Sequence, residues 1–337
     1  MITIKDIAKK ANVSVATVSY ALNNKGGIGE AKKKEILDMA KKMGYVPNSV
    51  ARSLQARTTN IVGLIIPDFI SFQSELVIKL EHHARLNDYF ILLGCTNKNL
   101  KAEKEIIERF ISKNADALII IPGNNATEEH YATIFETHQN NSLPLVFIGA
   151  NFNRIKSSNI TIDLQSSLYT LTNYIFKKKP GSKIVFFGGD SDEYFVKIRL
   201  EGIKQAFQKN RMSFKEDNFF NIGNEYSFEI GYQSILQYAE MNKIFPDAII
   251  AVNDHVGYGI TRGLKEKGMN IPDDIMVTGC DNITVPSING FGLTTIDLPL
   301  NEIAERAMEI LKSSSSRTNL RTHITLDADI MFKDSTI

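Results

Sequence analysis

The most constraining stretch of the sequence is IKDIAKKANVSVATVSYALN, residues 4–23. Its apolar side chains recur at helical spacing on both sides of Asn12, a residue type that tolerates the left-handed backbone of a turn. Ser14 is a good N-cap for a second helix, from about Val15 to Leu22, because its hydroxyl accepts from a free backbone N–H. The pattern therefore predicts two short helices that cross closely, a helix-turn-helix.

The second of these helices is predicted to have an inward and an outward face. The residues expected to pack against the first helix are Val18, Ala21 and Leu22. The outward residues are Val15, Ala16, Ser19 and Tyr20. Aliphatic side chains on such a face contact thymine methyls in the major groove, and a tyrosine hydroxyl bonds a base edge or a phosphate. The alternative is a helical pair with only a structural role inside another domain.

Two further helices are predicted before residue 58. The segment GEAKKKEILDMAKKMGYVP gives a third helix with a weak entry at Gly29, and Pro47 ends it because the residue before a proline disfavours helical backbone. The segment NSVARSLQAR, residues 48–57, predicts a shorter helix with a narrow apolar edge. About two turns of helix are unstable alone in water, so this segment is expected to fold only on a partner surface.

These residues resemble the lactose-repressor (LacI) family of transcriptional regulators. The ANVS-x-x-TVS core matches that family's helix-turn-helix, and the run P-N-x-V-A-R-x-L matches its hinge helix. The resemblance implies base-reading positions at Val15, Ala16 and Tyr20. Tyr20 departs from the family, in which Arg or His is commoner, and this departure affects the operator sequence rather than the binding mode.

The resemblance also implies further contacts with DNA. Ser14, Thr17 and Asn23 match phosphate-contacting or helix-positioning residues. Ala51 and Leu54 match the minor-groove face of the hinge helix, where Leu54 is expected to act as an apolar wedge that kinks the duplex at a central base step. The full expected DNA-binding set is Thr3, Ser14, Val15, Ala16, Thr17, Ser19, Tyr20, Asn23, Tyr45, Asn48, Ala51 and Leu54.

The charge distribution agrees with a nucleic-acid reader joined to another domain. Residues 1–58 carry 11 Lys and Arg against 4 Asp and Glu, a net +7, whereas the rest carries 28 against 34, a net −6. A basic small domain on an acidic body is typical of such proteins. The lysine cluster at 32–34 is equally compatible with a solvated helix face.

From Ile61 onward, β-branched apolar runs alternate with helical stretches. The runs are IVGLII, YFILLG, DALIII, LVFI, KIVFF, AIIAV and IMVT. This alternation predicts parallel sheets with crossover helices, and the stretch is too long for one sheet. The resemblance implies an α/β effector domain of periplasmic-binding-protein type, with two doubly wound parallel-sheet subdomains joined by three crossings. The third crossing is expected at LTTI, near residue 293.

The predicted domain boundaries follow from these patterns. Residues 1–46 form the all-α helix-turn-helix domain, 47–59 the hinge helix and linker, and 60–337 the effector-binding and dimerisation domain. Its N-subdomain is expected at about 60–161 and 293–322, and its C-subdomain at about 162–292 and 323–337. KSSSSRT, Lys312 to Thr318, is expected to be a flexible surface loop.

Ligands of open parallel sheets bind beyond the carboxyl ends of the strands, where this sequence has polar residues. By resemblance, Arg199, Asn253 and Asp281 match effector-bonding positions, and Asp254 is expected to cap the helix that follows. The full expected effector-binding set is Ser71, Phe72, Gln73, Glu193, Phe195, Arg199, Tyr226, Asn253 and Asp281. Arg, Asp and Asn suit a polyhydroxylated ligand, whereas the competing interpretation of Arg199 and Asp281 is an ion pair between elements.

Several other chemistries are disfavoured. Gly257, Gly259 and Gly263 miss the dinucleotide-binding spacing by one residue, and no nucleophile elbow, Walker motif or metal-ligand spacing is visible. Cys95 and Cys280 are interpreted as buried small hydrophobes in a reducing compartment. No cofactor, metal or enzymatic activity is predicted, and the absence of a signal sequence or long apolar run favours a cytoplasmic protein.

The sequence thus predicts a homodimeric repressor that binds a pseudo-palindromic double-stranded operator under the control of a sugar-like effector. Three other classes compete: a secreted solute-binding protein, a doubly wound enzyme, and a global regulator that responds to a partner protein. A nucleobase-responsive repressor is a further variant. The two-lobed body fits the first two, but the residues before 58 and the missing catalytic motifs argue against them.

Overall fold

The computed structural model describes residues 2–23, 27–45, 58–123, 125–136, 143–242, 244–283, 291–314 and 321–337. It comprises two compact units, Met1–Thr59 and Asn60–Ile337. The predicted hinge helix, with Asn48, Ala51 and Leu54, lies outside the described residues.

The first unit contains the helices α1 (Ile4–Ala11), α2 (Val15–Leu22) and α3 (Glu30–Lys42). Asn12 adopts the left-handed backbone between α1 and α2, with a φ of 51°. Ser14 caps α2, because its Oγ accepts from the Thr17 N–H at 3.0 Å. The helix-turn-helix is therefore confirmed with the predicted turn and cap.

A small apolar core holds these three short helices together. Its buried residues are Ile7, Ala8, Ala11, Val18, Ala21, Ile36 and Ala40. Four of the seven are alanines, and short side chains let helix axes approach closely. Helices of eight residues are unstable in isolation, so this packing rather than helix propensity maintains them.

The second unit has two lobes, each built on a six-stranded sheet. The first sheet has the order β11-β5-β4-β3-β1-β2 and its strand pairs are all parallel. Its strands are β1 (Ile61–Ile66), β2 (Phe90–Cys95), β3 (Ala117–Ile120), β4 (Leu145–Ile148), β5 (Ser158–Ile162) and β11 (His323–Leu326). Its helices are α4 (Phe72–Leu86), α5 (Leu100–Ser112), α6 (Glu128–Glu136) and α11 (Leu300–Ser314).

The second sheet has the order β12-β10-β9-β8-β6-β7 and is parallel except for its edge strand β12. Its strands are β6 (Ile184–Gly188), β7 (Phe219–Asn221), β8 (Ala248–Ala251), β9 (Met276–Cys280), β10 (Thr294–Asp297) and β12 (Asp329–Met331). Its helices are α7 (Leu164–Lys178), α8 (Tyr194–Lys209), α9 (Phe228–Met241) and α10 (Asp254–Glu266), with a 3₁₀ turn at Glu216–Asn218. The predicted class of two doubly wound subdomains is confirmed.

The chain crosses between the lobes three times, but two predicted boundaries are wrong by one strand. Residues 294–297 pair with β9 in the second sheet, although 293–322 was predicted for the first lobe. Residues 323–326 pair with β5 in the first sheet, although they were predicted for the second. These short strands carry no local sign of which sheet they join, because pairing depends on distant partners.

Residues 312–314 of the predicted surface loop KSSSSRT are helical, since α11 extends to Ser314, and residues 315–318 lie outside the described residues. The backbone hydrogen bonds of the continuing helix outweigh the low helix propensity of the serines there. Cys280 is buried as predicted, whereas Cys95 is only half-buried. In the part of the chain that the structure describes, no helix is long and apolar enough to cross a membrane.

The first lobe contains one buried carboxyl group away from the strand ends. Glu103 in α5 is only 2% exposed, and its Oε1 accepts from the Tyr131 hydroxyl at 2.8 Å. Its Oε2 lies 3.1 Å from Nε2 of His130. Burial raises the pKa of Glu103 to about 7, and burial lowers the pKa of His130. The neutral forms of both side chains are thus favoured.

Replacing Glu103 by Gln should stabilise the protein above neutral pH. The folded-state pKa of Glu103 lies above its ordinary 4.5, so the folded protein loses stability as the pH rises from about 4.5 to about 7. Gln stays neutral and can still accept from Tyr131, which avoids a cost on the order of 3 kcal/mol at high pH. Thermal unfolding across this range should show Glu103→Gln gaining on wild type as pH rises. Glu105→Gln, at an exposed position of the same helix, is the matched control, and an equal gain there would refute this account.

Candidate functional site

The first candidate site is the outward face of α2. Val15 and Tyr20 are 42% and 46% exposed, and Ala16 is exposed beside them. Val18 and Ala21 on the opposite face are buried in the three-helix core. The division between a packed face and a free face is therefore as predicted.

Polar side chains fix both ends of this helix pair. Thr3 donates from its N–H and its hydroxyl to Oδ2 of Asp6, at 2.8 and 2.7 Å. The Ser14 and Thr17 hydroxyls lie 2.8 Å apart at the start of α2, and Asn23 donates to the Ser19 hydroxyl at 3.3 Å at its end. These residues order the helix ends that the prediction assigns to phosphate contacts. Tyr45, half-buried, packs against the three-helix core.

The second candidate site is the cleft between the two lobes, a cavity of about 100 Å³. Eight of the nine predicted effector-binding residues line it: Ser71, Phe72, Gln73, Phe195, Arg199, Tyr226, Asn253 and Asp281. The ninth, Glu193, is not among the lining residues. The remaining lining residues are Pro67, Asp68, Ile70, Lys98, Ile121, Pro122, Val196 and Val252. Residues more than 200 positions apart therefore converge on one cavity.

Two lining residues carry a polar atom that is buried and has no hydrogen-bond partner among the described residues. These atoms are Nε of Arg199, in the second lobe, and Oε1 of Gln73, in the first. Arg199 uses its other nitrogens, since Nη1 donates to the Phe195 carbonyl at 3.0 Å and Nη2 to Sγ of Cys280 at 3.6 Å. A buried polar group without a partner is costly, and of the four such atoms among the described residues these two belong to residues that line the cavity.

The ion pair considered for Arg199 and Asp281 is not formed as a direct contact. Asp281, 6% exposed, instead accepts from the Ser71 hydroxyl of the opposite lobe. Burial raises the pKa of Asp281 to about 6, while Arg199 and the Ser71 hydrogen bond act in the opposite direction. The nearby guanidinium thus reduces the cost of the buried carboxylate without neutralising it through contact.

Asn253 takes both the cleft position expected of it and the helix cap expected of Asp254. Asn253 is the N-cap of α10, because its Oδ1 accepts from the Val256 N–H at 2.9 Å. Its Nδ2 faces the cleft and donates to the Tyr226 carbonyl at 3.1 Å. The predicted cap, Asp254, is wrong: it is 1% exposed and accepts from Thr295 at 2.6 Å. Helix α10 begins at Asp254, one residue earlier than a cap at Asp254 requires.

Glu193 acts on the cleft through Tyr226. The Tyr226 hydroxyl donates to Oε2 of Glu193 at 2.7 Å, which fixes the ring that lines the cavity. A Cβ on Gly189 would lie 2.1 Å from that hydroxyl. The glycine after β6 is therefore needed for this placement of Tyr226.

Lys98 is a cleft residue that the sequence reasoning missed. Its ammonium lies 3.2 Å from Oδ2 of Asp68, and both residues line the cavity. Lys98 and the preceding Asn97 both have left-handed backbone, with φ of 59° and 50°. The one sign in the sequence was the position of Lys98 just beyond the carboxyl end of β2, where ligands of parallel sheets bind.

The fold and the two sites define a class of protein: a helix-turn-helix unit followed by a two-lobed, periplasmic-binding-protein-like body with a cleft between its lobes. Residues 3–48 match the family model described as bacterial regulatory proteins, lacI family. Residues 176–336 match the model of a periplasmic binding protein-like domain. The chain therefore combines the DNA-binding domain of lacI-family transcription regulators with a periplasmic-binding-protein-like domain.

Full-length relatives and solved structures agree with these matches. Catabolite control protein A of Priestia megaterium is 27% identical over 339 residues, covering 99% of each chain. That of Staphylococcus xylosus is 29% identical over 311 residues, covering 92% of this chain and 91% of the relative. A lac repressor dimer bound to operator and the anti-inducer ONPF superposes with a TM-score of 0.85 at 18% identity, covering 100% of this chain and 99% of that one. The CcpA transcription regulator of Lactococcus lactis gives 0.72 at 21% identity, covering 82% of this chain and 99% of that one.

Replacing Asp281 by Asn should make the protein more stable at high pH. The folded-state pKa of about 6 lies above the ordinary 3.8, so stability is lost as the pH rises from about 4 to about 6. Asn keeps an oxygen for the Ser71 hydroxyl but carries no charge, which gains up to roughly 3 kcal/mol above that range. Urea unfolding at about pH 4.5 and about pH 8 should show the advantage of Asp281→Asn growing with pH. The exposed control Asp192→Asn should show no such growth; a constant difference for Asp281→Asn would mean that its ionisation does not oppose folding.

Proposed function

We propose that the protein is a repressor whose α2 helix reads operator DNA in the major groove and whose cleft binds the controlling effector. The observation that supports this most strongly is that one chain carries two separate candidate binding sites. One is the exposed face of α2, with Val15 and Tyr20, and the other is the interlobe cavity with its unpartnered donor and acceptor. The basic first 58 residues supply the attraction to phosphates. Such a regulator acts in the cytoplasm, where its DNA target lies.

The surface of the first lobe supports a homodimer. The edge strand β2 and the adjacent helix α4 expose a group of large apolar side chains. These are Ile78, Leu86, Phe90, Leu92 and Leu93, with exposures of 65%, 64%, 74%, 36% and 39%. An unpaired strand edge beside exposed apolar side chains is covered in stable proteins, and a second copy of the chain fits a two-fold operator.

The start of the body is well placed to transmit a change in the cleft. Asn60 donates its N–H to Oδ2 of Asp116 at 2.6 Å, and its carbonyl accepts from the Phe90 N–H at 2.7 Å. The first residue of the body is thus anchored to the first sheet beside the proposed dimer surface. A movement of the first lobe would then carry the two linkers of a dimer with it, and a coupling of about 1–3 kcal/mol suffices for regulation.

The cleft favours a neutral, polyhydroxylated effector. A ligand hydroxyl both donates and accepts, so one hydroxyl group satisfies the Gln73 Oε1 and another accepts from the Arg199 Nε. These atoms belong to opposite lobes, so the same ligand joins them. The rings of Phe72, Phe195 and Tyr226 supply apolar walls for the carbon faces of a sugar.

The first experiment is a search for both ligands with the full-length protein. Selection from a random duplex library should yield a pseudo-palindrome with two half-sites. A thermal-shift screen of sugars, phosphosugars and nucleobases should find the effector, because a ligand of the native state raises the melting temperature. If the selection enriches no DNA sequence, the proposal of operator binding is wrong. If a nucleobase raises the melting temperature and no sugar does, the effector is a nucleobase rather than a sugar.

Replacing Leu54 by Ala should weaken operator binding strongly while leaving nonspecific DNA binding largely intact. The proposed wedge acts only on the bent operator, whereas nonspecific binding comes from salt-dependent phosphate contacts. Filter binding or fluorescence anisotropy at several salt concentrations measures both affinities. The control is Gln55→Ala, at a position outside the expected DNA-binding set. Equal losses on operator and random DNA would contradict the wedge.

Replacing Arg199 by Met should abolish the response to the effector without changing operator affinity in its absence. The loss of a buried charged donor is expected to weaken effector binding by about 1.5–3 kcal/mol. Calorimetry with the sugar found in the screen measures the effector affinity, and anisotropy measures the operator affinity. Arg262→Met is the matched control, because Arg262 is an exposed residue of the same lobe paired with Glu266 at 2.6 Å. Unaltered effector binding in Arg199→Met would exclude this residue from the effector site.

A further inference from the structure

The two lobes are joined across the cleft by a direct chain of hydrogen bonds through Ser71. The Ser71 hydroxyl, in the first lobe, donates to Oδ2 of Asp281 in the second. The same hydroxyl accepts from Nδ2 of Asn253 at 3.4 Å. Asn253 is held in place by its cap of α10 and by its donation to the Tyr226 carbonyl. One serine hydroxyl thus makes one donated and one accepted bond with the opposite lobe.

The backbone and side chain of Ser71 do not adopt the conformation that is favoured at the start of a helix. Ser71 is the N-cap residue of α4, a position where a serine hydroxyl ordinarily accepts from the first turn of the helix. Here its side chain makes no cap hydrogen bond. Its φ of 63° and ψ of −138° lie in a region that L-residues rarely adopt. The hydroxyl forgoes the cap and points across the cleft.

The acceptor on the other lobe is held in a similarly unusual way. Asp281 has a φ of 105°, and its N–H donates to the Ile296 carbonyl at 2.9 Å. Unfavourable backbone at binding sites persists when the surrounding structure stabilises it. Two such residues in direct contact across a cleft indicate a functional contact rather than a packing accident.

We propose that Ser71, Asp281 and Asn253 form an interlobe latch in which the Ser71 hydroxyl occupies the bonding position of an effector hydroxyl. The latch holds the lobes together, and an effector hydroxyl that bonds Oδ2 of Asp281 and Nδ2 of Asn253 in the same position must displace Ser71. Ser71 therefore sets the threshold for effector binding and selects ligands with a hydroxyl that both donates and accepts. This role in effector selection rests on the proposed function, but the latch itself does not.

Hydrogen–deuterium exchange of the purified full-length protein tests the latch without any ligand. Ser71→Ala should increase exchange in the second-lobe segment 279–283, which includes the Ile283 N–H that donates to Asp254 at 3.0 Å. Ser74→Ala is the matched control, because among the described residues its hydroxyl donates to the Ser71 carbonyl of its own lobe, at 3.4 Å, and to no residue of the second lobe. That variant should change exchange in the first lobe alone. Unchanged exchange at 279–283 in Ser71→Ala overturns the latch.

Effector affinity then tests the displacement. With the sugar found in the thermal-shift screen, Ser71→Ala should bind more tightly than wild type, because no hydroxyl has to be displaced, while Ser74→Ala should bind as wild type does. Weaker binding by Ser71→Ala would make Ser71 a ligand contact rather than a competitor and would refute the proposal. If the screen yields no ligand, the effector proposal fails while the exchange measurement still decides the latch.

Discussion

The structure of the body depends on one constraint, the three passages of the chain between two parallel sheets. Parallel strands end at a common edge, and the passages place that edge of each sheet at the same cleft. Pro67 after β1, Asn253 after β8 and Asp281 after β9 consequently line one cavity. The cleft between the lobes is therefore a result of topology, and residues far apart in sequence meet there because their strands end there.

The cleft concentrates polar groups that oppose folding. Asp254 and Asp281 are both buried, and burial followed by the neighbouring Asp281 raises the pKa of Asp254 well above its ordinary range. Hydrogen bonds from Thr295 and from the Ile283 N–H offset part of that cost. Nε of Arg199, which has no hydrogen-bond partner among the described residues, adds to that cost. Polar groups that lower the stability of the folded protein are common at binding sites, and this pattern supports the proposed role of the cleft.

In the DNA-binding unit, by contrast, the residues that determine each structural feature lie close to that feature in the sequence. Asn12 supplies the left-handed turn, Ser14 caps the following helix, and alanines let the helices cross closely. Each of these signals lies within a few residues of the structure that it determines. For this reason the two faces of α2, with Val18 buried and Tyr20 exposed, were predictable from spacing alone.

The sequence by itself determined the local elements: the helix-turn-helix, seven of the strands, and the residue types available at the strand ends. Tertiary structure decided the rest, and particular residues show why. Residues 294–297 and 323–326 join sheets other than those expected, because strand pairing is selected by partners far away in the chain. Asn253 rather than Asp254 caps α10, and Lys98 reaches the cleft, because strand ends and loop conformations depend on packing. Ser71 is a residue type that ordinarily caps a helix through its hydroxyl. Here that hydroxyl donates to Asp281 of the second lobe instead, and the sequence gives no sign of this distant acceptor.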